Sequence, residues 1–328
     1  MALKVAVIMG GTSFERDFSL KSGKRIADDL QSLGYEVLPL DANDALVETL
    51  RAEKPDVAFI AMHGLGGEDG TIQELLEFLQ IPYVGSTSDA CRASWNKVDL
   101  ARAFDAYFAE ENELVTPQGF CLTDVAFRSM GAAGALDLVG ERLGFPVCVK
   151  PACGGSALGV ARVDRQQDLG EAILGALAFD DKVIIEEWIE GVELAVSVMG
   201  SEDEVSVMPA VEIAPKHGFF NTEARLDEAL VDYYTPVRDA SLGDTPEAVE
   251  EARHEISYAA IDVFEALGCR DLARVDMIYR DGVAYITDVK VAPGLSHMSL
   301  LPMSAKACGI DMAELLGQLV EDAAERGC

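Results

Sequence analysis

Apolar residues in the first third of the chain follow two alternating patterns. Lys4 to Met9 and Val57 to Ala61 are short apolar runs of the kind buried on both faces of a sheet, and Glu36 to Leu40 reads as a third strand. Between them Leu20, Ile26, Leu30 and Leu33 recur at helical spacing within Ser19 to Leu33, and a second helix is predicted over Ala45 to Ala52. This βαβαβ order implies a parallel sheet, whose ligands sit beyond the carboxyl ends of the strands. Gly10-Gly11 and His63-Gly64 stand at two such ends. A plain tight turn is the alternative at Gly10-Gly11. The chain has no GxGxxG fingerprint, so dinucleotide binding is not supported.

After Ile81-Pro82-Tyr83-Val84-Gly85-Ser86 the pattern changes. One helix is predicted from about Asp89 to Phe108, leading into the acidic link Glu110-Glu111-Asn112-Glu113, with a boundary near residue 98. A small α/β unit from Pro117 to Ile185 carries the strands Pro146 to Lys150 and Val160 to Val163, and a larger α+β unit follows from Glu186. The expected fold class is therefore α/β, with domains spanning 1–98, 99–185 and 186–328.

Three segments carry candidate chemistry. In Ala273 to Leu300, Arg280-Asp281-Gly282 reads as a three-residue hairpin loop, which makes Asp276 face Ile286. Alternation then places Asp276, Asp288 and Lys290 on one face, with the two aspartates diagonal and about 7 to 8 Å apart at Cα. Carboxylates at that reach can share Mg²⁺, which favours one or two carboxylates plus substrate phosphate oxygens. A solvated charged face is the alternative. In Lys150 to Gly159, glycines between two strands let backbone N–H groups surround an anion beside the Lys150 charge. It is not a Walker loop, because the lysine precedes the glycines. Val183 to Glu193 is an apolar strand opening into carboxylates, the layout of a hinge reading an adenine edge and a ribose, or else of a solvated acidic turn.

Composition narrows the partners. The 328 residues carry 57 acidic against 26 basic side chains, a formal net charge of −31, which disfavours nucleic acid. The seven scattered cysteines include no CxxC pair and read as reduced thiols. No apolar run approaches the 18 or so residues of a membrane helix, and Met1 to Gly11 is a strand running into a glycine loop. A cytoplasmic protein acting on small molecules, with neither membrane nor nucleic acid as partner, is expected.

In order along the chain stand GGTSFERDFSLKSG (10–23), HGLGGEDGTIQELLE (63–77), IPYVGS (81–86), VKPACGGSALGV (149–160), EEWIEGVEL (186–194), and RVD (274–276) followed by DVKVAPGLSHMSLLP (288–302). In this combination the chain resembles the D-alanine:D-alanine ligases of the ATP-grasp superfamily over essentially its whole length. The resemblance implies a three-domain ATP-grasp fold with an N-terminal parallel-sheet domain, and a homodimer. It also implies an ATP-dependent ligation of two D-alanines, or of D-alanine and a related D-substrate, through an acylphosphate for peptidoglycan precursors. The rival reading is a non-catalytic or differently specific nucleotide-binding protein with a degenerate metal site.

Residue by residue, the resemblance implies that Lys97 and Lys150 hold ATP phosphates under a loop around Ser156. Glu186, Trp188 and Ile189 would line the adenine pocket, Glu193 would take the ribose, and Arg225 would reach the transferred phosphate. Glu15 would bind the ammonium of the first amino acid, with His63 near its carboxylate. Arg274 and the N–H of Gly294 would stabilise the tetrahedral oxyanion, Ser299 and Leu300 would receive the second substrate's carboxylate, and Asp276 and Asp288 would bind Mg²⁺. Three positions depart from the family. Asp288 replaces a glutamate that bridges two magnesium ions, and Lys290 replaces an asparagine ligand, so one ion rather than two is an open expectation. Leu226 replaces a tyrosine that bonds Ser156 in a chain with Glu15.

Overall fold

The computed structural model describes residues 2–107, 114–200 and 204–328. The acidic link expected at Glu110 to Glu113, and Phe108 at the end of the predicted helix, lie outside them. Three sheets organise the chain. The first is fully parallel in the order β2-β1-β3-β4, from β1 (Lys4–Met9), β2 (Glu36–Asp41), β3 (Val57–Ile60) and β4 (Tyr83–Val84). The βαβαβ expectation holds here, because β1 and β3 are apolar on both faces and are buried throughout or nearly so. Helix Arg16–Ser32 turns Ser19, Ser22, Gly23, Ile26, Ala27 and Leu30 toward β1, a three-and-four spacing that puts one stripe on the sheet. Thr71–Leu79 and Leu46–Glu53 cover the opposite face.

The second sheet is antiparallel, β5-β8-β6-β7, built from β5 (Gly119–Thr123), β6 (Val147–Pro151), β7 (Ala161–Val163) and β8 (Lys182–Glu187). The third is also antiparallel, β12-β11-β9-β13-β14 with β10 on the free length of the β9 edge. It comprises β9 (Val192–Gly200), β10 (Val205–Val207), β11 (Val211–Pro215), β12 (Val231–Tyr234), β13 (Asp271–Arg280) and β14 (Val283–Lys290). The long helix Pro246–Ala266 packs Ile256, Ala260, Val263 and Phe264 under it, together with Leu100 and Phe104. Its start is set by Thr245, whose hydroxyl caps Ala248 N, and by Pro246 in the first turn.

The C-terminal helix Met312–Arg326 returns to the first sheet and shares a core with Val5, Val7, Ile26 and Leu30. Arg326 grips both oxygens of Asp271 at 2.9 Å, and the same carboxylate accepts from Gly85 N at 2.7 Å. The ends of β4 and β13 are thereby tied together.

Two expectations need correction. The single helix predicted from Asp89 is two helices, Ser88–Trp95 and Lys97–Tyr107, broken at Asn96, where the backbone is extended. Helical periodicity continues across the break, but backbone pairing outside the helix wins. Asn96 bridges to Cys153, Lys97 N donates to Ala152 O at 3.0 Å, and Asn96 Oδ1 caps the new helix at Val98 N. The hairpin also closes differently. Asp281 and Gly282, with φ of 51° and 85°, form a two-residue turn in which Arg280 pairs with Val283, not the predicted three-residue loop. A bulge at Thr287 then shifts the register, so Asp276 pairs directly with Asp288 instead of facing Ile286.

Candidate active site

The bulge at Thr287 decides the hairpin's chemistry. With a two-residue turn and no bulge, Asp276 would pair with Thr287 and Asp288 would point to the other face. The extra residue restores parity, so Arg274, Asp276, Asp288 and Lys290 share one face while Ala284, Ile286, Val289 and Val291 lie in the core. Thr287 Oγ1 donates to Asp276 O at 3.0 Å, and Thr287 O accepts from Lys150 Nζ at 3.3 Å. Both bonds hold the irregular residue in place.

Cations occupy both aspartates. Arg274 engages Asp276 with two donors, Nε to Oδ1 at 2.6 Å and Nη2 to Oδ2 at 2.8 Å. Asp288 lies 3.3 Å from Lys97 Nζ and 3.1 Å from Lys290 Nζ. Burial opposes ionisation of Asp288, but the lysines 290, 97 and 150 overcome it and hold the carboxyl well below its usual range. Among the described residues no group of three or more His, Cys, Asp and Glu side chains is arranged to hold a metal ion.

Two cavities meet above this hairpin. The larger, about 170 Å³, includes Lys97, Lys150, Trp188, Glu193, Asp276 and Asp288 in its lining. The other, about 140 Å³, is bordered by Glu15, His63, Glu68, Arg274, Gly294 and Ser299. Ser156, Phe220, Arg225 and Lys290 border both.

In the larger cavity Lys150 and Glu186 form a buried pair at 2.6 Å. Burial lowers the Lys150 ionisation, yet Glu186 outweighs it and the net shift is upward. Glu186, expected on the adenine side, is thus also the partner of the strand-end lysine. Lys97 is pushed down by burial and donates to Gly154 O at 3.0 Å. Trp188 stacks edge-on to Phe219 at 5.4 Å with Arg162 over its ring, and Ile189 is buried nearby. Trp188 Nε1 and Arg225 Nε are buried and find no acceptor among the described residues. Unpartnered buried donors are costly, so they are prepared for a ligand's acceptors. Burial raises the Glu193 carboxyl to about 7 against the opposing pull of Arg225.

The glycine-rich loop closes over this cavity onto the first sheet. Ser156 Oγ donates to Glu15 Oε1 at 2.5 Å, and Thr222 Oγ1 donates to Ser156 O at 3.1 Å. Glu15 stands at the start of helix Arg16–Ser32 but makes no cap bond to it, so its carboxylate is free to reach the loop. Two glycines make room. A Cβ at Gly64, whose φ is +72°, would lie 2.5 Å from Glu15 Oε2, and one at Gly155 would lie 2.9 Å from Glu15 Oε1 and 3.0 Å from Lys290 Nζ. His63 is buried beside them. Its Nδ1 faces Ala292 O at 3.1 Å and Nε2 faces Ser22 Oγ at 2.9 Å, a pairing met by the Nδ1–H tautomer, and burial keeps the ring neutral.

At the far end Ser299 stands at the N-cap position of helix Leu300–Ala307 without a side-chain cap bond, its Oγ 2.9 Å from Ser296 Oγ and close under Gly294, while Leu300 is buried. Every residue given a site role by the family resemblance therefore borders one of the two cavities, whereas Gly10, Gly11, Gly64 and Leu226 border neither. Leu226 is 65 % exposed, and Ser156 reaches Glu15 without an intermediary.

Glu68, Phe220 and Tyr233 were not singled out from the sequence. Glu68 is buried, accepts from Gly64 N at 3.1 Å and lies 3.4 Å from Lys290 Nζ. A signal for it existed, since a lysine expected inside so acidic a site needs an acidic partner. Phe220 and Tyr233, in edge contact at 6.1 Å, carry no motif that marks them.

Residues 123–321 match the family model described as D-ala D-ala ligase C-terminus, and residues 41–86 match that of the D-ala D-ala ligase N-terminus. The chain is 35% identical over 327 residues to the D-alanine–D-alanine ligase of Desulforudis audaxviator, covering 99% of itself and 100% of that protein. It is similar to the crystal structure of the Bacillus anthracis D-alanine–D-alanine ligase complexed with ATP, with 29% identity, a TM-score of 0.77 and coverage of 99% and 98% of the two chains. It is also similar to the VanG D-Ala:D-Ser ligase of Enterococcus faecalis, with 25% identity, a TM-score of 0.77 and coverage of 98% and 100%.

Proposed function

The chain belongs to the D-alanine–D-alanine ligase family, and from that premise we propose that it joins D-alanine to a second D-substrate, using ATP, through an acylphosphate. The single observation that carries this reading is the meeting of the two cavities at Ser156, Arg225 and Lys290, with cations on the larger side and Glu15 at the head of the smaller. A carboxylate in the smaller cavity would face the terminal phosphate of a nucleotide in the larger one.

In this reading the parts of the chain 1–98, 99–185 and 186–328 act as substrate, lid and catalytic units. Lys97, Lys150 and Arg225 hold the phosphates. Glu186, Trp188 and Ile189 take the adenine, and Glu193 accepts from the ribose hydroxyls. Glu15 receives the ammonium of the first D-alanine through a charge-assisted bond, and His63 lies by its carboxylate. That carboxylate attacks the terminal phosphorus as the bond to ADP breaks, a step helped mainly by positioning and by fixed positive charge. The amine of the second substrate then attacks the acyl carbon, loses a proton and expels phosphate. Arg274 and Gly294 N–H face the oxyanion formed on the way, where preorganised donors count most. Ser299 and Leu300, at a helix N-terminus, take the second carboxylate.

Asp276 and Asp288 would hold one Mg²⁺ in exchange for cations that now engage them. Asp276 and Asp288 are paired across the strands on the phosphate side, and hard carboxylate oxygens suit that ion alongside nucleotide phosphates. When bound, it would draw charge off the phosphate oxygens. A homodimer in the cytoplasm, supplying peptidoglycan precursors, completes the reading. No helix among the described residues is long and apolar enough to cross a membrane, which is compatible with it.

The test is phosphate release from Mg-ATP with D-alanine alone, then with D-serine, D-lactate and L-amino acids added singly. Release that requires D-alanine is expected, and the panel identifies the second substrate. Clear nucleotide binding with no turnover on any member would overturn the ligase reading in favour of a nucleotide-binding protein.

A further inference from the structure

Lys290 is a buried charge to which the mechanism above gives no part. Only 8 % exposed, it points its ammonium at three oxygens from three parts of the chain. Asp288 Oδ2 on β14 lies 3.1 Å away, Glu68 Oε2 from the first sheet's loops 3.4 Å away, and Gly154 O of the glycine-rich loop accepts at 3.3 Å. Gly154 O takes one hydrogen bond and the two carboxylates are ion-pair partners, so the ammonium keeps N–H donors for a ligand.

Its place distinguishes it from the other cations. Lys97 and Lys150 border the larger cavity and not the smaller, and Arg274 borders the smaller and not the larger. Lys290 and Arg225 border both. Of the two aspartates on this face, Asp276 meets Arg274 and Asp288 meets Lys97 and Lys290, so a single ion there would already take the place of some of these cations. A protonated lysine offers no lone pair to a metal ion and repels one.

We propose that Lys290 is a catalytic cation fixed at the seam of the two cavities, contacting the phosphoryl group as it passes to the substrate carboxylate and filling the space of a second divalent ion. Asp276 and Asp288 would then hold a single ion beside the nucleotide phosphates. This deepens the ligase reading and rests on it. During transfer the oxygen–phosphorus bond to the carboxylate forms as that to ADP breaks. Lys290 donates hydrogen bonds to the phosphoryl oxygens throughout and gives up no proton. Its charge, unlike that of an exchangeable ion, is held in place by the fold and needs no reorganisation during the step.

Mn²⁺ binding to the full chain with β,γ-imido-ATP, followed by electron paramagnetic resonance, tests the proposal without turnover. The native chain should bind one Mn²⁺ and give an uncoupled single-ion spectrum, and Lys290→Asn should take up a second ion with a coupled spectrum. Single-turnover phosphoryl transfer should fall roughly 10²- to 10³-fold in Lys290→Met, the range seen when one preorganised donor is removed. Lys290→Arg should recover part of that loss. Two coupled ions in the native chain would overturn the proposal, and this measurement needs no variant to fold. A Lys290→Met rate within threefold of native would also overturn it. Absence of D-alanine-dependent phosphate release would remove the ligase reading together with the catalytic role, whereas two coupled ions with intact ligation would remove the role alone.

Discussion

Replacing Glu186 by glutamine tests whether the larger cavity is built for anionic phosphate. Glu186 and Lys150 lie diagonally across β8 and β6, with side chains 10 % and 8 % exposed and 2.6 Å between charged atoms. At an effective dielectric constant near 20, that separation gives an attraction of roughly 6 kcal/mol, much of it cancelled by the cost of removing both ions from water. Removing one charge exposes the uncompensated cost of the other, about 3 to 5 kcal/mol for buried pairs. Glutamine keeps one acceptor, so a loss of about 3 kcal/mol is expected. Lys150 would retain Thr287 O, and burial would then dominate and push its ionisation down instead of up.

Because the folded-state shift of Lys150 is upward, the pair's contribution is present at neutral pH and is lost only as pH rises through the folded value, above the ordinary 10.5. The loss in Glu186→Gln should therefore be flat between about pH 6 and 9. Nucleotide phosphates would replace the missing carboxylate as the partner of Lys150. Urea unfolding at pH 7.5, with and without β,γ-imido-ATP, should show a larger nucleotide stabilisation in the variant than in the parent. A loss below about 1 kcal/mol with an unchanged nucleotide response would refute the reasoning.

Three further outcomes are expected. Gly64→Ala places a Cβ at positive φ and against Glu15, so it should cost about 1 to 2 kcal/mol in thermal unfolding. It should also raise KM for the first amino acid about tenfold, with nucleotide affinity unchanged in calorimetry, since one lost charge-assisted contact is worth about that much. The raised carboxyl of Glu193 binds its proton more tightly when folded, so its contribution to stability declines as pH rises from about 4.5 to about 7. Its ionised form is the better acceptor for ribose hydroxyls, so nucleotide affinity should increase through about pH 7, and Glu193→Gln should flatten both profiles. Leu226→Tyr, at an exposed side chain, should change stability by less than about 0.5 kcal/mol and ligation rate by less than threefold. A large gain in rate would mean that position 226 reaches the loop.

Much of the first sheet and the identity of the cavity-lining residues were legible without coordinates. The runs at β1 and β3 are apolar on both faces, which only a covered parallel sheet tolerates, and the stripe on helix Arg16–Ser32 gives its packing face. The helix break at Asn96 was not legible, because the residues on both sides keep helical spacing and the partner that breaks them, Ala152 to Cys153, is more than fifty positions away. The bulge at Thr287 left a trace that was missed. Buried positions run Ala284 and Ile286, then Val289 and Val291, a change of phase that a regular strand cannot make.

By itself the sequence determined the fold class and the order of the phosphate, hinge and hairpin segments. These follow from local periodicity and from side-chain chemistry, which neighbours along the chain are enough to express. The tertiary structure alone decided the pairing of those charges: Glu186 with Lys150, Glu15 with Ser156, Glu68 and Asp288 with Lys290. Each pair joins segments whose approach depends on strand register, on one bulge, and on three sheets packed in a single arrangement. A buried ion is tolerated only where a counter-charge is brought to it, and that meeting is a property of the folded chain.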